Sequence, residues 1–114
     1  HFAISLEKLS LMLPPDFNKE FMFRIGGNAR ALPIIYVTGT GDIDLTINGN
    51  TFKIKNLKTT IIIDSELQVA MEDEENALPK TNGDFPELSP GLNKFQISGN
   101  LLNIKIKYQE TYLW

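Results

Sequence analysis

The sequence predicts an all-β fold, an antiparallel β-sandwich, and three observations carry the prediction. Apolar and polar residues alternate in short runs along most of the chain. Gly, Asn and Pro punctuate those runs at close intervals. No stretch sustains a helical period, so about eight or nine short strands are expected.

The best specified element is "DIDLTINGNTFKIK", Asp42 to Lys55. A two-residue type I′ turn at Asn48–Gly49 needs positive φ at both positions and sets Ile47 opposite Asn50. Leu45 then faces Phe52 and Ile43 faces Ile54. On the other face Asp44 meets Lys53 and Asp42 meets Lys55, giving one apolar and one charge-paired side.

The remaining elements are read in the same way. Leu9, Leu11 and Leu13 alternate before Pro14 and Pro15 end the run, and although Leu6, Leu9 and Leu13 also suit a turn or two of helix, a strand is the preferred reading. Phe21, Phe23 and Ile25 share a face and are closed by Gly26, Gly27 and Asn28. Pro33 opens a strand whose residues Ile34 to Val37 are apolar on both parities, as in a central strand covered on both faces. Gly39 and Gly41 bracket a turn into the hairpin. Thr60 to Asp64 is a β-branched strand, and after a bulge or corner at Asp64 and Ser65, Leu67, Val69 and Met71 alternate again. Glu72 to Gly91 has no period and reads as a long loop. Within it Asn82–Gly83 and Pro90–Gly91 form tight turns, and Phe85 and Leu88 plug the sandwich edge. Phe95 and Ile97 mark the next strand, and a turn at Gly99–Asn100 leads to a last one carrying Leu102, Ile104, Ile106 and Tyr108.

Composition excludes several functions. With 114 residues and no cysteine, the chain is a single domain spanning 1–114 that holds its core without disulfides or zinc–thiolate sites. A net charge of −3 without a basic run argues against nucleic acid. No apolar run reaches membrane-spanning length. The chain starts with His1 rather than methionine, which leads to the expectation of a fragment or processed product. That lone terminal histidine offers no catalytic argument.

The acidic run Glu72 to Glu75 lacks the alternating ligands and glycine of a calcium loop and is expected to be solvated. Asp64, Glu66, Asp84 and Glu87 are the acids available for glycoside hydrolysis, but their spacing singles out no pair. No cofactor, metal or catalytic residue is assigned. Tyr108, Tyr112 and Trp114, in the apolar parity of the last strand, are the candidates for contact with a saccharide or a partner protein.

The segments "IIYVTGTGDIDLTINGNTFKIKNL", "IIIDSELQVA" and "GDFPELSPGLNKFQISGN", followed by the aromatic "YLW", together resemble the C-terminal domain of the distal tail protein of long-tailed siphophages of Gram-positive bacteria. Five features occur in the family's order: Pro33, Gly39 to Ile43, Asn48–Gly49, Ile63 to Glu66, and Phe85 to Asn93. The resemblance covers Pro33 to Trp114 and does not extend to "ISLEKLSLMLPPDFNKE". It implies a galectin-like, jelly-roll type sandwich that is the C-terminal part of a longer distal tail protein. It also implies location in the virion, at the phage tail tip.

In that family an N-terminal domain forms a hexameric ring between the tail tube and the tail-associated protein. The C-terminal domain faces outward as a docking arm for receptor-binding proteins. The implied function is a non-enzymatic structural one in the baseplate. The alternative is a carbohydrate-binding domain recognising host cell-wall polysaccharide. The sugar-binding set of true galectins is absent from this sequence, so saccharide binding does not follow from the fold.

Overall fold

A computed structural model describes residues 3–12 and 20–113, with the side chains of residue 3 and of residues 9–12 not described. The expected end of the first strand at Leu13, Pro14 and Pro15 lies outside the described residues, as does Trp114.

The chain is all-β and antiparallel. Its strands are β1 (Ala3–Met12), β2 (Glu20–Ile25), β3 (Ile34–Ile47), β4 (Asn50–Leu57), β5 (Thr60–Asp64), β6 (Val69–Glu72), β7 (Glu75–Asn76), β8 (Thr81–Asn82) and β9 (Gly91–Leu113). A 3₁₀ turn, Leu78–Lys80, precedes β8.

Two long strands organise the sandwich. The first half of β9 pairs with β2 and with the second half of β3, which pairs with β4 and through it with β8. The second half of β9 pairs with β1 and with the first half of β3, which continues through β5 and β6 to β7. One hydrogen-bonded sheet therefore has two wings that share β3 and β9. Drawn straight, the 23 residues of β9 would reach about 75 Å, yet the molecule's longest dimension is 44 Å. Phe23, opposite Asn93 in one wing, meets Tyr108 of the other edge to face, with ring centroids 5.5 Å apart. The sheet is folded over, and the two wings enclose one core.

The fold line is a set of bulges where two turns were expected. Register shifts between Thr38 and Gly39 and between Thr40 and Asp44 mark the bend. Neither Gly39–Gly41 nor Gly99–Asn100 ends a strand, because both lie inside continuous ladders. A Cβ at Gly99, where φ is +116°, would stand 2.3 Å from the carbonyl oxygen of Asp42. The backbones thus approach too closely for a side chain. The bulge also inverts the inward parity of β9: Asn93, Phe95 and Ile97 point in before it, and Ile104, Ile106 and Tyr108 after it. Leu102, expected to share the latter face, is the extra residue and is exposed.

The hairpin has the expected turn, with φ of 51° at Asn48 and 85° at Gly49, and the pairs Ile43–Ile54, Asp44–Lys53, Leu45–Phe52 and Ile47–Asn50. The Asp42–Lys55 pair does not form. A bulge at Asn56 (φ 53°) displaces Lys55, and the Asp42 carboxylate accepts a hydrogen bond from the Asn56 backbone N–H at 2.9 Å.

Candidate functional site

Parity and pairing give the two wings different outer faces. On the wing containing β2 and β4 the outer face is mostly polar: Thr46 bonds Thr51 at 2.8 Å, Asp44 lies opposite Lys53, and Glu20 forms an ion pair with Lys94 at 3.5 Å, while Met22 and Leu92 are exposed toward the β2 edge. On the other wing, Tyr36, Ile62 and Met71 stand side by side across β3, β5 and β6, and Ile34 and Val69 flank Asp64 in the next row. Ile62 is 38% and Val69 36% exposed, and Ile34, Tyr36 and Met71 are half-buried. The two-sided apolar character of Ile34 to Val37 was expected to mean cover on both faces. Here β3 is central by hydrogen bonding but covered on one face only, and the second apolar face meets solvent. Lys105 edges this face, its Nζ 4.5 Å from the Tyr36 ring centroid, and Lys107 pairs with Glu7 at 3.0 Å.

The same misreading affects the corner. Residues 65–68 turn the chain back on itself, the Asp64 carboxylate accepting from the backbone N–H of Glu66 and Leu67. Leu67 is at the exposed tip and outside any strand. Val69 and Met71 point outward, while Ala70 and Glu72 point in.

Glu72, expected in a solvated acidic loop, is buried. Its carboxylate pairs with Lys80 and accepts from the backbone N–H of Lys58 at 2.8 Å and of Thr59 at 3.1 Å. Burial pushes its pKa up, but the Lys80 ammonium and the two backbone donors pull harder, so the carboxyl titrates below its ordinary value. Asp73 and Glu74 have positive φ and turn the chain tightly between β6 and β7. Among the described residues no cluster of three metal-type side chains occurs.

The remainder of the long loop is ordered as its plugs suggested. Leu88 is fully buried and exchanges two backbone hydrogen bonds with Ala31, and Phe85 packs on Phe52 with centroids 5.1 Å apart. The loop closes on Asn93, which is 0% exposed. Its amide donates to the carbonyls of Phe23, Ser89 and Gly91 and accepts from Ser89 N–H and Asn48 Nδ2. Asn93 escaped notice as a structural centre, although its parity with Phe95 and Ile97 marks it as inward.

This loop, the hairpin end at Asn50 and the 65–68 turn border a cleft of about 360 Å³. It brings together Glu66, Asp84 and Glu87 of the acids considered for hydrolysis, whereas Asp64 is used in its turn. All three are exposed, so none has the desolvated setting that a general acid requires.

The two aromatic candidates among the described residues, Tyr108 and Tyr112, have different settings. Tyr108 is 7% exposed and belongs to the core against Phe23, so its ring is committed within the domain. Burial, with lesser contributions from Glu110 and Tyr112, raises its phenol pKa. Tyr112 is half-buried and donates to Glu110 at 3.3 Å, where Glu110 also accepts from Gly26 N–H. It lies opposite Ile4, which is exposed on the same parity, so the inward face here overhangs the sandwich. No helix among the described residues is long and apolar enough to cross a membrane.

No family model and no curated protein matches this chain.

Proposed function

We propose that this domain is a non-enzymatic docking module of a phage tail tip, the outward-facing C-terminal sandwich of a distal tail protein. The observation that carries the reading is the contrast between the two outer faces. A sandwich sheet facing only water is expected to alternate apolar-in and polar-out. One wing does so apart from Met22 and Leu92 near its β2 edge, and the other presents Ile34, Tyr36, Ile62, Val69 and Met71 as neighbours across three strands, with Asp64 among them and Lys105 and Lys107 at the edge. An apolar centre containing Tyr and Met within a charged rim is the composition of a protein–protein interface. The ordered set of five motifs supplies the biological setting, with receptor-binding or other tail proteins as partners in the virion.

The test is association of the chain with purified tail-tip proteins of the same phage, followed by size-exclusion chromatography with light scattering. A stable complex is expected, and Ile62→Glu with Val69→Glu should abolish it while leaving the circular dichroism unchanged. A complex indifferent to that double substitution, or no complex with any tail protein, overturns the proposal.

A further inference from the structure

We propose that Asn82 is a site of spontaneous covalent modification, where the chain converts itself through a succinimide to isoaspartate, and that the fold shields its second Asn–Gly pair from the same reaction. The two pairs are Asn48–Gly49 and Asn82–Gly83. Glycine after asparagine favours the reaction, because it has no Cβ to obstruct the approach of its own nitrogen to the preceding side chain and its backbone turns freely. Both asparagines are exposed, so neither sequence nor solvent access separates them. Tethering separates them. Asn48 donates from Nδ2 to Asn93 at 2.8 Å, its Oδ1 accepts from the Lys94 N–H at 2.9 Å, and its own N–H is bound to the Lys94 carbonyl. Among the described residues the Asn82 side chain makes no hydrogen bond, and the Gly83 N–H donates none. β8 is only two residues long and is held to β4 at Lys53 and Ile54 alone. So short a pairing opens locally at little cost, which frees the backbone to reach the cyclising geometry.

The reaction needs no molecule other than water. The Gly83 nitrogen attacks the side-chain carbonyl carbon of Asn82, a new N–Cγ bond replaces Cγ–Nδ2, and the side-chain nitrogen leaves as ammonia with the proton that Gly83 gives up. Water then opens the cyclic imide. Hydrolysis at the backbone carbonyl leaves isoaspartate, with the chain running through the side-chain carbon, and hydrolysis at the side-chain carbonyl leaves aspartate. Water is consumed, ammonia is released and no electrons are transferred. Either product places a new carboxylate opposite Lys53, its neighbour across the strands. Isoaspartate also lengthens the backbone by one atom where space is lacking, because a Cβ on Gly83 would already stand 2.3 Å from the Thr51 carbonyl oxygen. The modification therefore unpairs β8 from β4 and loosens Phe85 from Phe52.

The experiment is incubation of the folded chain for several weeks in mildly alkaline buffer at physiological temperature. Peptide mass mapping locates the conversion, and methyl transfer from S-adenosylmethionine by an isoaspartate methyltransferase identifies the product. The Asn82 peptide is expected to exchange its amide NH2 for OH about tenfold or more faster than the Asn48 peptide, mostly as isoaspartate, and the two rates should converge in denaturant. Asn82→Gln should remove most of the methyl-accepting signal while leaving the circular dichroism unchanged. In the aged chain, NMR shifts are expected at the amides of Phe52, Lys53, Ile54 and Phe85, with β1 and β5 unmoved. Asn48 converting as fast as Asn82 in the folded chain overturns the inference, as does the same rate ratio persisting in denaturant. So does an Asn82 that converts only when the chain is unfolded, or one that yields aspartate without isoaspartate. Asn82 lies on the wing away from the apolar outer face, so these outcomes and those of the docking test are separate results.

Discussion

The side chains of Asn48 and Asn93 are joined by a 2.8 Å hydrogen bond from Nδ2 to Oδ1, linking the tip of the β3–β4 hairpin to the start of β9. The link is reinforced along the backbone, where Asn48 Oδ1 accepts from Lys94 N–H and Asn48 N–H donates to the Lys94 carbonyl. A turn selected for its positive φ is thereby also a tertiary contact. Asn93→Ala leaves buried carbonyls and an N–H without partners, and a loss of about 3 kcal/mol is expected in denaturant unfolding. Asn93→Asp should be no better, because a carboxylate would face three carbonyl oxygens. Equal stability of Asn93→Ala and wild type would show that water replaces the network.

Glu72 predicts an acid limb in the stability curve. Its folded-state pKa lies below the ordinary value of 4.5, so the folded state binds its proton less readily than the unfolded chain. The contribution is therefore present in full above about pH 4.5 and is lost as pH falls through the lower folded value. Glu72→Gln should cost about 1–3 kcal/mol at pH 7, since the amide retains an acceptor but loses the charge opposite Lys80. It should also flatten the acid limb. An unchanged slope between pH 5 and pH 3 in that variant would remove Glu72 as its source.

The fold line predicts unequal glycines. Gly99→Ala meets both a φ of +116° and the Asp42 carbonyl at 2.3 Å, and about 3 kcal/mol or more of stability should be lost. Gly41→Ala has positive φ but open space around its Cβ, so about 1–2 kcal/mol is expected. The comparison isolates the close approach of the strands from backbone strain. Similar midpoints for the two variants would mean that the bend relaxes around a new methyl group.

Ser65→Ala should raise stability slightly, by about 0.5–1 kcal/mol, since it removes an unpaired buried hydroxyl while the Ser65 N–H to Pro33 carbonyl bond at 3.0 Å persists. Thermal unfolding of the variant checks this. A clear destabilisation would indicate that the hydroxyl is bonded to an ordered water in solution.

Much of the fold was legible because strand alternation and turn chemistry are local. Asn48–Gly49 set the hairpin register, Leu88 and Phe85 were identifiable as plugs, and Phe23 and Ile25 declared their inward face. The misreadings share one cause. Leu67, Val69 and Met71 alternate as one apolar set, yet Val69 and Met71 face outward and Ala70 and Glu72 occupy the inward side. A sheet with one uncovered apolar face defeats the rule, because hydrophobicity ceases to distinguish in from out. Of the aromatic candidates, Tyr108 shows that shared parity does not separate a core ring from a platform. Ser65 and Glu66 carried no signal of a cleft, since its walls come from segments distant in the chain.

By itself the sequence determined the all-β class, the hairpin turn and the residues able to fill a core, because each depends on side-chain period and on the φ preferences of Asn, Gly and Pro. The tertiary structure alone decided that β3 and β9 run unbroken through the fold line, that Glu72 is buried beside Lys80, and which apolar face stays open. Those outcomes depend on which backbones approach within van der Waals distance and which charges leave water together. They are set by pairing between strands up to some seventy residues apart, beyond the reach of any local pattern.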